Sequence, residues 1–204
     1  MTALRLGTAA CLVALAVVVA LVAADVRSWS RTFTGEDAVF AAAPARATWT
    51  PATHLGGVAA DLLGVGDDVT FRHALQLYVG AVQQHQRLDN ALDVQTARAG
   101  AQDALAAAAL DSDAGRAAQA RTLLGILSFG ASAQGAGPSQ VDAAVSDFTD
   151  AIRADPGDED AKFDIELLLR LTAAHGTRSG RGTGGGFGRT GRHGAGGGVP
   201  GSGY

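Results

Sequence analysis

The chain opens on an unbroken apolar run. Residues 6–24 carry no charge and are rich in Leu, Val and Ala. As a helix rising about 1.5 Å per residue, they span roughly 28 Å, close to the hydrocarbon thickness of a bilayer. Two readings compete. A cleaved signal peptide has an apolar core of about 7–15 residues before a small-residue cleavage site, and Val22-Ala23-Ala24 would serve as that site. The length of the run favours an uncleaved transmembrane anchor over residues 1–24. Arg5 with the amino group on one side and Arg27 and Arg31 on the other nearly balance. A short leader is easily left in the cytoplasm, so the body is expected outside it.

Residues 25–66 read as a juxtamembrane connector. Pro44, Pro51, Gly56, Gly57, Gly64 and Gly66 punctuate them, and no apolar stripe persists. Trp29, five residues past the apolar run, is expected to anchor at the lipid interface, and Trp49 to pack on the body.

From residue 67 the pattern becomes helical. Asp67 or Asp68 can cap a helix whose apolar positions are Phe71, Ala74, Leu75, Tyr78, Val79 and Val82, the stripe of one face. A second, alanine-rich helix is expected over 88–110, weakened at Gly100. Asp111-Ser112-Asp113 makes a turn before a third, over 114–133. The loop 135–138 separates it from a fourth, capped by Ser139, with the stripe Val141, Ala144, Val145, Phe148, Ala151, Ile152. Asp155-Pro156-Gly157 stops that one, and acids at 158–160 open a fifth that ends near Gly176.

Composition narrows the class. Aromatic residues make up 5% of the chain, so a large β-sandwich is disfavoured. A single cysteine, Cys11, cannot form an internal disulfide and reads as a small packing residue. The one lysine, Lys162, follows Ala161 rather than the glycine of a phosphate-binding loop. Every acidic residue lies between Asp25 and Glu166, giving residues 25–175 a net charge of −9, whereas residues 176–204 carry +4. That last segment is half glycine and is expected to be a disordered Gly/Arg-rich tail. Arg-Gly segments can contact nucleic acid or anionic surfaces, with Phe187 stacking on a base. Four arginines and one phenylalanine are few for that, and a flexible extension is favoured.

A search for chemistry finds near misses. Gly130-Ala131-Ser132-Ala133 is followed by Gln134, not the glycine of a nucleophile elbow. Asp111 and Asp113 begin like a calcium loop, but Gly115 and Arg116 break it. His73 and His85 fall on different faces of a helix. Gly180-Arg181-Gly182-Thr183-Gly184-Gly185 lacks the strand and helix of a dinucleotide site. No catalytic, cofactor or metal site is expected.

The fourth helix carries the most specific spacing. Ala144, Phe148, Ala151 and Pro156 resemble the second half of a tetratricopeptide repeat, in which small residues let two helices approach and an aromatic fills the gap. Leu124-Gly125 resembles the Leu-Gly pair of the first half, displaced by an insertion of seven residues that the 135–138 loop can absorb. Ala161 and Ile165 fit the start of a further repeat, but Glu166 stands where a small residue is usual. Ser28-Trp29, residues 64–71, residues 151–169 and the Gly-rich end also resemble small bacterial membrane-anchored repeat proteins. Those proteins accompany MoxR-type AAA+ ATPases and von Willebrand factor A-domain proteins.

The resemblance implies an all-α protein of the bacterial cell membrane. A single-pass anchor would hold a helical-hairpin domain of about five helices over 67–175. Its function would be a non-enzymatic protein–protein scaffold for a partner the sequence does not identify. In such repeats the first helix of each pair lines the open face, which implies partner contacts at Asp160, Phe163, Leu167 and Arg170. Binding of nucleic acid through the Arg/Gly tail is the alternative.

Overall fold

The computed structural model describes residues 2–50, 52–54, 57–86, 90–132 and 137–182. Among them there is no strand. Seven α-helices follow one another: α1 Thr2–Ala42, α2 Val58–Leu62, α3 Val65–Gln86, α4 Ala91–Ala108, α5 Ala114–Ala131, α6 Pro138–Ala154 and α7 Glu159–Gly182. A 3-10 turn, Pro44–Arg46, lies between α1 and α2. The chain divides into two units, Met1–Ile165 and a second that begins at Glu166.

The first unit starts with a helix of 41 residues. At about 1.5 Å per residue this is roughly 62 Å, twice the thickness of a hydrocarbon core. Its apolar part is long and apolar enough to cross a membrane. Leu12, Val13, Leu15, Val17, Val18 and Val19 are all exposed along it. The helix does not stop at residue 24. Polar side chains end the apolar run there, but nothing breaks the backbone until Pro44, so α1 continues through half of the expected connector.

That continuation is packed against the rest of the unit. Trp29 is buried in a cluster with Ala59 of α2 and Val65 of α3, and Val22, Phe33, Ala60 and Val69 pack against it. Its indole N–H donates to the Ala52 carbonyl at 3.1 Å. Trp29 therefore does not face lipid as expected, because α2 and the start of α3 cover that side of α1. Trp49 is buried and packs on the body. Its ring lies 5.5 Å from that of Phe40 and 5.8 Å from that of His73, and its N–H donates to Asp37 Oδ1 at 3.0 Å.

The five helices expected beyond residue 67 are present as α3 to α7. α3 begins at Val65, so Asp67 and Asp68 sit in its first turn, where acids favour the dipole, rather than at its cap. Asn90 caps α4 and Asp113 caps α5, each side chain accepting a backbone N–H. α6 is entered through Gly137 and Pro138 instead of a Ser139 cap, since proline suits the first helical position and needs no hydrogen bond there. α7 runs past Gly176 and Gly180 to Gly182, because each glycine inside a helix costs only about 1 kcal/mol. The remainder of the expected tail lies outside the described residues.

Two cores hold these helices. Phe71, Ala74 and Ala81 of α3, Ala101, Leu105 and Ala108 of α4, and Ala120 and Leu127 of α5 form the larger one. The smaller one joins Ala118 of α5, Ala151 of α6 and Ala161 of α7, all essentially inaccessible to solvent. With methyl groups alone between them, helix axes come close, so alanine here is a packing residue rather than filler.

Candidate functional site

The expected repeat residues converge on the α5–α6 pair. Arg121 donates to the Asp150 carbonyl, Gly125 faces the Phe148 ring, and Ser128 donates to Asp147. As the α5 number rises the α6 number falls, so the helices are antiparallel. Ala144, Phe148 and Ala151 are buried, and so is Gly125. A Cβ placed on Gly125 would stand 2.8 Å from Phe148 Cε1 and 2.9 Å from Cδ1 and Cζ, well inside contact distance. Leu124 is half-buried against the larger core. Pro156 is exposed just past the end of α6, where a proline helps to stop the helix.

The start of α7 is tied to this pair by Asp158. Its Oδ1 accepts the Ala161 N–H at 2.9 Å, and its Oδ2 accepts the Thr122 hydroxyl of α5 at 3.1 Å. An open cleft of about 330 Å³ follows, lined by Gly115, Gln119, Thr122, Asp155 and residues 157–160. Asp160 lies on its rim and is exposed. Phe163, one turn on, is 65% exposed, an unusual state for a large aromatic side chain. In the second unit Leu167 and Arg170 are exposed too, and Arg170 pairs with Glu166 one turn before it. Glu166, at the position where a small residue is usual, points into solvent.

Burial tunes several acids. It raises the Asp147 carboxyl above its ordinary value, with the Ser128 hydrogen bond opposing. It also raises Asp164, which the neighbouring charges of Asp160 and Asp158 push the same way. Tyr78 is raised by burial and by the charge of Asp164. Asp111 is lowered by its hydrogen bond from Arg116, which lies between α4 and α5 where the calcium-like sequence begins. That pair uses the carboxylate a metal would need. Among the described residues no three His, Cys, Asp or Glu side chains approach closely enough to hold a metal ion.

One arrangement had no signal in the sequence. Asp25, fully buried on α1, accepts the backbone N–H of His54 at 2.7 Å and meets its Nδ1 at 2.5 Å. Together with the Trp29–Ala52 hydrogen bond, this straps residues 52–54 across α1. The partners are 29 and 23 residues apart, so no local motif could have announced them. No protein-family model, curated protein or solved structure matches the chain.

Proposed function

We propose that the protein is a membrane-anchored scaffold that binds another protein through a helical surface of tetratricopeptide-repeat type. It would sit in a bacterial cell membrane with a single span and its body outside the cytoplasm. The observation that carries the reading is the close approach of Gly125 to the Phe148 ring, flanked by buried Ala144 and Ala151. That is the packing the repeat spacing calls for. Exposed Phe163 beside an acidic cleft supports a partner segment that brings an apolar side chain and a basic group. Exposed Leu167, in the second unit, supports the same use of α7. The similarity to proteins that accompany MoxR-type ATPases suggests a membrane system of that kind as the setting.

Capture of partners from detergent-solubilised membranes tests the reading. Phe163→Ala and Leu167→Ala should each weaken capture while far-UV circular dichroism stays unchanged. Identical capture profiles for the parent and both variants would refute it.

A further inference from the structure

We infer that α2 is a second membrane contact, lying in the headgroup layer beside the span with Val58, Leu62 and Leu63 turned into lipid. The inference rests on the reading of α1 as a membrane-spanning helix.

The argument begins with depth. Val22 belongs to the apolar run of α1, two residues before its end, and it packs against the cluster that contains Ala59 of α2. Trp29, two turns further along α1, belongs to the same cluster. Ala59 is the buried residue of α2, so this short helix is fixed at the level where the apolar run gives way to polar sequence. Gly64, in the left-handed region at φ 65°, turns the chain sharply into α3, which carries it away from that level.

The exposed side of α2 is the second observation. Val58 is 72% exposed and Leu62 84% on a helix of five residues, and Leu63, its C-cap, is 53% exposed. α1 also presents exposed Val26 beyond the end of its apolar run. Water would be a poor solvent for this surface, whereas the boundary between headgroups and acyl chains suits it. Trp29 is turned inward and cannot serve as the interfacial anchor, so that role passes to the aliphatic side chains of α2. Exposed Arg27 and Arg31 on α1 stand at the same boundary and suit phosphate groups. Asp61 is exposed on α2 and limits its depth to the headgroup layer.

The test uses the full chain with Cys11→Ala, reconstituted in phosphatidylethanolamine/phosphatidylglycerol vesicles. Single cysteines are introduced as Leu62→Cys, Leu15→Cys or Leu92→Cys and carry a small fluorophore. Leu62 and Leu92 are both largely exposed, so the label disturbs no packing. With α2 in the headgroup layer, the label at 62 loses most of its emission to shallow brominated lipid and is shielded from aqueous iodide. The label at 15 is quenched by deep brominated lipid, and the label at 92 by iodide alone. Lipid quenching at 15 with iodide quenching at 62 would overturn the inference and leave the span intact. No lipid quenching at 15 would remove the span itself, and the inference with it. Shielding at 62 from both quenchers that grows with protein-to-lipid ratio would assign the patch to a second copy of the chain, which also overturns the inference.

Discussion

The ring of Phe148 occupies the space where a side chain on Gly125 would begin. A methyl there would lie within 2.9 Å of three ring atoms. The two positions are therefore coupled. Gly125→Ala should cost about 1–3 kcal/mol from overpacking, offset by about 1 kcal/mol of helix propensity. Phe148→Ala should cost about 3–5 kcal/mol through the cavity it leaves. Thermal unfolding of Gly125→Ala combined with Phe148→Leu should show less destabilisation than the two single variants added together. Strict additivity would mean that the ring and the glycine do not share that space.

Asp25 and His54 hold residues 52–54 to α1, and the carboxylate is the member that matters more. Asp25→Ala leaves the His54 N–H without its acceptor and should cost about 1–3 kcal/mol. His54→Ala keeps the backbone bond and loses a ring that is half exposed, so it should cost less. Amide hydrogen exchange at residues 52–54 should accelerate strongly in the first variant and weakly in the second.

Asp111 and Arg116 give a stability term that acid removes. Arg116 holds the Asp111 carboxyl below its ordinary value of 3.8 in the folded chain. The term is present above that value and disappears as pH falls through the lower folded value. Asp111→Asn should therefore melt at a lower temperature than the parent at neutral pH. The two melting curves should converge in acid.

Asp147 has the opposite sign. Burial raises its folded carboxyl above 3.8, so the folded state binds the proton more tightly than the unfolded chain does. Stability then falls as pH rises from 3.8 through the folded value. Asp147→Asn, which retains a partner for Ser128, should raise the melting temperature at neutral pH. It should leave that temperature unchanged well below the ordinary carboxylate value.

Ala161 meets Ala118 and Ala151 with no room left over. Ala161→Leu should cost about 1–3 kcal/mol. Hydrogen exchange should report it first at the Ala161 amide, which Asp158 caps.

The five body helices were legible because each is long enough to repeat an apolar stripe, α6 most clearly through Ala144, Phe148 and Ala151. The placing of Asp160 and Phe163 on an open face came from the repeat resemblance, and both side chains are exposed on either side of buried Ala161. What stayed hidden depends on contacts distant in sequence or on elements too short to show a period. Residues 25–42 looked like a connector because polar side chains end an apolar run without ending a helix. α2 offers a single turn, with one buried alanine. The inward turn of Trp29 is decided by Ala59 and Val65, some thirty residues away.

The uninterrupted course of α1 has a mechanical consequence. In the proposed membrane setting, the rod that leaves the lipid is the one that Trp29 and Trp49 lock to the body, which leaves no swivel at the boundary. Tilting the span steers the first unit by the same angle. A floppy tether would let that unit sweep freely above the bilayer, whereas a stiff stem presents one constant aspect to neighbours in the same membrane.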